Sequence, residues 1–221
     1  MSHSDRWSSV QATGLVLVVA LGIGPRSGLG QAPMPIPSGA VISGALSFDG
    51  HATLGDFTGT TTTVSGAFRG AASIDSVTGW VAAPVRSLTT GNGKRDRDLN
   101  SSMESDKFPV IRYDLTGVAV RGARGDTLDL TLRGAFLIHG VVRPADIPAT
   151  AAFTPGSVRV KGEVPLDLND YAIKGLSKML GVLKMHPGIL VHVDVMFAFG
   201  APAPPDRPFT ASPPAPGPGG R

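Results

Sequence analysis

The sequence predicts an all-β protein, an eight-stranded antiparallel barrel with one or two short helices. The strongest sign is period-two alternation over residues 127–138 and again over 189–199, which gives each strand one buried, wholly apolar side. The abundance of glycine and proline, 29 and 19 residues, suits short turns between strands. Long antiparallel strands in this number remove their exposed edges most simply by closing into a barrel. Weaker strand patterns lie near residues 41–51, 57–69, 76–88, 110–121, 141–153 and 156–167.

The first 30 residues predict an export signal. Arg6 precedes an unbroken apolar run over 14–24, and the small residues Gly28 and Gly30 suit cleavage before Gln31. A bilayer span takes about 20 apolar residues, so this run is short for a membrane anchor. We therefore expect a periplasmic or secreted protein without a transmembrane segment after cleavage. An uncleaved anchor or a buried strand is the alternative.

Three further segments follow the signal. Residues 31–39 form a Pro-rich linker, residues 40–199 carry the strand patterns, and residues 200–221 consist mostly of Ala, Pro and Gly. The last segment cannot bury enough apolar surface to offset the entropy lost on ordering, so we expect it to be disordered.

Two short helices are expected within the domain. One covers residues 95–105, and the other lies near residues 176–183. In the second, Leu176, Met179, Leu180 and Leu183 fall at helical spacing, so this helix would cap one mouth of the barrel.

Composition and motifs argue against several functions. The net charge is only +3, and the densest charged run, residues 94–98, alternates in sign, unlike a nucleic-acid-binding face. The chain has no cysteine, and His192 and Asp194, two apart on one strand face, supply two ligands where metal sites need three or four. No hydrolase, metalloprotease or phosphate-loop motif is present, so we expect a protein that is not an enzyme and has no cofactor.

Six stretches in consistent order across residues 40–199 are distinctive. They are SLTTG at 87–91, RDRDL at 95–99, FPVIRY at 108–113, GAFLIHGVVR at 134–143, VPLDLNDYAI at 164–173 and VHVDVMF at 191–197. Together they resemble the YceI-like family of polyisoprenoid-binding periplasmic proteins. The resemblance implies a lipocalin-like barrel of eight antiparallel strands that holds a long isoprenoid chain, with polyprenyl quinones as natural candidates.

Candidate ligand-binding residues follow from the strand pattern together with this resemblance. Each of them would serve equally as ordinary core, because an apolar strand face needs no ligand to explain it. The candidates are Phe48, Phe68, Trp80, Phe108, Tyr113, Phe136, Ile138, Leu176, Met179, Leu183, Val193, Val195 and Phe197. Arg95, Arg97 and Arg143 are candidates for gripping a polar headgroup, and a salt-bridged turn is the alternative for the first two.

The function that these observations favour is an exported carrier or store for a long-chain isoprenoid lipid. The principal rival is a structural or stress-response interaction module of the cell envelope without bound lipid, and a hydrolase acting on an amphiphile is third. Bulky side chains filling the interior would favour the interaction module, and an acid, a base and a nucleophile in mutual contact would favour the hydrolase. The identity of the lipid and the formation of a homodimer are left open.

Overall fold

The structure, a computed structural model, describes residues 35–53, 55–173 and 185–204. These residues form one antiparallel sheet and a ten-residue helix, α1, at Gly93–Ser102. Short 3₁₀ turns lie at Ile74–Ser76, Val85–Ser87 and Leu168–Tyr171. The strands are β1 (Gly39–Ala52), β2 (Gly55–Thr61), β3 (Ser65–Arg69), β4 (Thr78–Pro84), β5 (Val110–Arg124), β6 (Thr127–Ile138), β7 (Val141–Thr154), β8 (Ser157–Asp167) and β9 (Met185–Phe199).

The sheet closes into a barrel because β1 pairs with β9. Their register runs from Gly39 opposite Phe199 to Ala52 opposite Met185, with two irregularities along the way. From β3 onward each strand pairs with the next in sequence, while β2 and β3 share the other edge of β1 and so occupy a single position. The result is the closed eight-position antiparallel barrel that the sequence predicts.

The prediction of one continuous second strand over residues 57–69 is wrong. The strand breaks at residues 62–64, between β2 and β3. The Thr61 side chain is buried, lies 2.7 Å from the Ser87 hydroxyl and accepts a hydrogen bond from the Thr63 amide. Side-chain oxygens of this kind compete with ladder bonds. Just before the break, Thr60 of β2 exchanges two backbone hydrogen bonds with Thr89, in the connection between β4 and β5.

The first predicted helix is confirmed, and it begins two residues earlier than expected. The Asn92 side chain accepts hydrogen bonds from the amides of Lys94 and Arg95, which caps the helix. Asp96 in the first turn accepts from both the amide and the hydroxyl of Thr90. The second predicted helix, the predicted signal and residues 205–221 of the tail lie outside the described residues. No helix in the described ranges has the length and hydropathy to cross a membrane.

The two ends of the barrel differ. We call the end that carries α1 and the turn Leu168–Tyr171 the helix end, and the end at which Gly39 lies beside Phe199 the far end. At the far end Ile36 donates its amide to the Ala71 carbonyl, and the connection through Ile74–Ser76 packs on β5.

Tyr113 lies across a glycine inside the barrel. Its hydroxyl donates to the carbonyls of Leu132 and Ala145, each at 3.0 Å, so the side chain spans β6 and reaches β7. This path exists because Gly134 has no side chain: a Cβ there would lie 2.7 Å from the Tyr113 ring and would collide with the Asp114 carbonyl. The close approach couples three neighbouring strands.

We expect Gly134→Ala to lower the free energy of unfolding by about 1–3 kcal/mol, because the added methyl must displace backbone or the tyrosine ring. Gly122→Ala in β5 is the matched control, since a Cβ there meets only the Asp129 side chain at an ordinary 3.4 Å. The control should change stability by less than about 0.5 kcal/mol. Urea unfolding followed by circular dichroism measures both, and equal stabilities for the two variants would contradict this account of Tyr113.

Candidate functional site

The barrel encloses a narrow apolar tunnel of about 210 Å³. Every strand contributes inward-facing residues to its lining, and in β9 these run from Ile189 to Phe197. Eight residue steps at about 3.3 Å per residue make this stretch about 26 Å long. Drug-sized ligand sites usually have volumes of about 300–1,000 Å³, so the tunnel is slim for its length. Its shape suits a thin chain better than a compact molecule.

Most of the predicted ligand-binding residues that the structure describes line this tunnel. Phe108 does not: it stacks on His139 at 4.4 Å between ring centroids, with the Lys107 ammonium 4.8 Å from its ring. Leu176, Met179 and Leu183 lie outside the described residues. The predicted residues that line the tunnel are Phe48, Phe68, Trp80, Tyr113, Phe136, Ile138, Val193, Val195 and Phe197.

The sequence analysis missed residues that line the tunnel near its ends. At the helix end, Leu99 and Met103 project from α1 and its last turn, and both are buried. Their four-residue spacing on a helix was a usable signal of one inward face. Other residues that line the tunnel near its ends lie in irregular segments, where no periodicity identifies them as inward-facing. They include Leu168, Ile173, Ile36, Ile74 and Val77.

Two polar side chains of the lining, Tyr113 and Thr61, already have hydrogen-bond partners. The hydroxyl of Tyr113 makes the two carbonyl contacts described above, and burial, with a smaller effect of Asp146, raises its pKa. Tyr113 therefore stays neutral at physiological pH. The Thr61 hydroxyl pairs with Ser87. The tunnel wall thus offers a ligand mainly hydrophobic and dispersion contacts.

The arginines predicted to grip a headgroup occupy three different environments. The Arg95 guanidinium lies 4.3 Å from the centre of the Phe57 ring, which in turn packs edge-on against the tunnel residue Phe48. Arg97 is exposed on α1. Arg143, at the start of β7, donates from Nε to the Asp170 carbonyl at 3.0 Å. Arg95 and Arg143 therefore both lie near the helix end, but on different parts of the wall.

His139 and Gly140 form the tight turn between β6 and β7. Both have positive φ, +52° and +75°, which Gly140 adopts without steric cost. The buried His139 ring lies with Nδ1 3.1 Å from the Tyr171 carbonyl and Nε2 3.5 Å from a Glu104 carboxylate oxygen. The Nδ1 contact joins the β6–β7 turn to the turn Leu168–Tyr171.

His192 and Asp194 lie on the outer wall in a ladder of ion pairs. His192 Nε2 is 2.8 Å from Asp49 on β1, and Nδ1 is 3.1 Å from Glu163 on β8. Asp194 accepts two hydrogen bonds from Arg159, each at 2.7 Å. Within the described ranges no group of three acidic, histidine or cysteine side chains has the geometry to hold a metal ion. The ladder ties β9 to its neighbours on both sides.

The ladder shifts the pKa values of several of its members, among them His192 and Asp49. The hydrogen bond to Asp49 raises the pKa of His192, with Glu163 adding to it, whereas a hydrogen bond from Thr58 and then the bond from His192 lower the pKa of Asp49. The protonated histidine and the ionised aspartate are thus the favoured pair. The stabilisation from His192 is fully present below its unfolded pKa and is lost as the pH rises through its raised, folded pKa.

Comparison with known proteins gives a family and a fold. The YceI-like domain family matches residues 43–198. The structure is similar to that of BcnA from Burkholderia cenocepacia, with a TM-score of 0.60 and 13% identity over 69% of this chain and 95% of that one. It is also similar to a polyisoprenoid binding domain from Saccharophagus degradans implicated in plant cell wall breakdown, with a TM-score of 0.59 and 13% identity over 74% and 99%. No curated protein matches the sequence.

We expect the coupling between Asp49 and His192, measured with Asp49→Asn, His192→Gln and the double variant, to be larger at pH 5.5 than at pH 9. At pH 5.5 the histidine is protonated and the aspartate is still ionised, whereas at pH 9 the histidine is neutral. Urea unfolding at both pH values gives the four free energies. A coupling that stays constant or grows with pH would refute this charge assignment.

Proposed function

The chain belongs to the YceI-like family, and on that premise we propose that it binds the tail of a long-chain isoprenoid lipid for transport or storage outside the cytoplasm. The observation that carries the proposal is the continuous apolar tunnel, about 26 Å along β9. A polyprenyl quinone or a similar amphiphile has a tail of the required slimness. The similarity to a polyisoprenoid binding domain from Saccharophagus degradans supports the same ligand class.

Burial of the tail is the source of the affinity. Each buried CH₂ gains about 0.8 kcal/mol, so the affinity rises with the length of tail that the tunnel encloses. Immobilising a ligand costs an estimated 4–15 kcal/mol, which the enclosed part of the tail must offset. No catalytic group is needed for this function. The bulky side chains that an interaction module would place in the interior are replaced along part of the wall by small residues such as Ala83, Ala151 and Gly162.

The export step of the proposal depends on the sequence of residues 1–30, where a basic residue, a short apolar run and small residues precede the barrel. A protein that carries a water-insoluble tail through an aqueous compartment needs this enclosure, because the free lipid would aggregate or stay in the membrane. The proposed compartment is the periplasm or the medium outside the cell.

The direct experiment is native mass spectrometry of the protein purified from its own host. We expect a mass increment that matches a polyprenyl lipid, identified after extraction by its isoprene fragmentation series. A protein that is empty on isolation, and that stays empty after incubation with polyprenyl quinones and polyprenols, would overturn the proposal.

Filling part of the tunnel should weaken the binding of the lipid. In Ala151→Leu the added carbons enter the tunnel and displace about two methylenes of the tail, which costs about 1.6 kcal/mol or about tenfold in affinity. Ala152→Leu is the matched control, because the next residue of β7 is exposed on the outer wall. Titration of Trp80 fluorescence with one polyprenyl lipid measures both, with unfolding curves to show that both variants are folded. Equal affinities would mean that the tail lies elsewhere.

A further inference from the structure

The barrel wall has a gap between β7 and β8. Within the described residues these strands pair only from Ala149 opposite Gly162 to Thr154 opposite Ser157. Beyond that point β7 continues along β6 through residues 141–148, and β8 continues along β9 through residues 163–167, without pairing to each other. We call the space between these two stretches the window. Five residues of β8 at about 3.3 Å each make it about 16 Å long.

Prolines lie on both sides of the window. Pro144 and Pro148 are on β7, and Pro165 is on β8. Proline has no N–H to donate to a neighbouring strand and is confined to strand edges or bulges for that reason. Pro148 is the neighbour of Ala149, the residue of β7 at which pairing with β8 stops. The gap is therefore built into the covalent chain and is not a chance separation of two strands.

The window opens onto a cleft that adjoins the tunnel. Leu166 lines both spaces, so its side chain lies between the tunnel and the cleft. The edge of the cleft near the helix end is closed by the Arg143 Nε bond to the Asp170 carbonyl, at 3.0 Å. The opposite edge of the cleft is the pair Ala149–Gly162, where the hydrogen-bonded ladder between β7 and β8 begins.

The cleft is polar and carries an excess of negative charge. Asp146, Asp167 and Asp170 line it, and Arg143 is the one basic residue among its lining residues within the described chain. Three carboxylates repel a phosphate or pyrophosphate head, whereas their oxygens accept hydrogen bonds from hydroxyl groups. The tunnel wall, by contrast, is apolar. The cleft therefore offers a polar environment for the head of an amphiphile directly beside an apolar one for its tail.

We infer that the window is the headgroup site and side entrance of the tunnel, and that it selects an uncharged hydroxylated head, such as an alcohol or a hydroquinone, over a phosphorylated one. This inference rests on the proposed function, because it presupposes an isoprenoid tail in the tunnel. The tail lies along β9 and β8, and the head emerges past Leu166 between the edges of β7 and β8. Arg143, one of the predicted headgroup residues, lies at the rim of this site.

The selectivity is tested with a polyprenyl alcohol and the monophosphate of the same chain length, titrated against Trp80 fluorescence in low-salt buffer. The wild type should bind the alcohol on the order of tenfold more tightly, since the carboxylates are poorly screened at low ionic strength. The triple variant Asp146→Asn/Asp167→Asn/Asp170→Asn should reduce that ratio to below about threefold. Asparagine at 167 keeps the acceptor that caps the following 3₁₀ turn.

The matched control changes the same number of charges at the far end of the barrel, in Asp75→Asn/Asp126→Asn/Asp129→Asn, and should keep the wild-type ratio. A ratio that is unchanged in the window variant, or that falls equally in the control, would overturn the inference while leaving tail binding intact. If the wild type binds neither lipid, the proposed function itself fails.

The entrance is tested by bridging the window. The chain has no cysteine, so Pro144→Cys/Asp167→Cys can be joined selectively by a short bismaleimide. Uptake of the polyprenyl alcohol should slow at least tenfold relative to the same variant before cross-linking. Thr150→Cys/Lys161→Cys is the control, because those residues already face each other in the paired ladder. Unchanged uptake through a bridged window would refute the side entrance.

Discussion

The pairing of the first strand with the last is the interaction on which the rest of the structure depends. The β1–β9 ladder turns an open sheet with two exposed edges into a barrel, and only a closed barrel encloses a tunnel. The close fit at Gly44, where a Cβ would lie 2.7 Å from Val195, brings the two strands together near the far end. The outer ion pairs of His192 and Asp194 tie β9 to β1 and β8. Because side chains alternate along a strand, a slip of one residue in this ladder would turn the apolar lining outward.

Closure also determines what kind of ligand fits. An eight-position barrel is just wide enough to be filled by its own side chains or to hold one slim ligand, and the size of the inward residues decides between the two. Phenylalanines at positions 48, 68 and 197 narrow this interior, while Ala83, Ala151 and Gly162 leave it open along the axis. The incomplete β7–β8 pairing adds an asymmetry that a uniform barrel lacks. The same wall thus combines an apolar enclosure with one polar opening.

The sequence predicted the barrel because alternation is a local property that survives folding. The strands around Leu130 and Val193 carry an unbroken apolar side, and both face the tunnel as expected. Phe108 was misplaced because it sits just before β5, where alternation carries no information and its contact with His139 depends on the fold. The break of the second strand depends on the contact between Thr61 and Ser87, which are distant in sequence. The window was not predicted, although the prolines at 144, 148 and 165 indicate strand edges in the sequence.

The central claim is that an isoprenoid tail occupies the axis of this barrel. A crystal structure of the protein bound to a polyprenyl lipid tests it most directly. The account predicts continuous, tubular electron density that runs beside Tyr113 and along Val193 to Phe197, with the barrel walls unmoved. Density confined to the outer wall, or an interior closed by collapse of the lining side chains with the lipid absent, would contradict it.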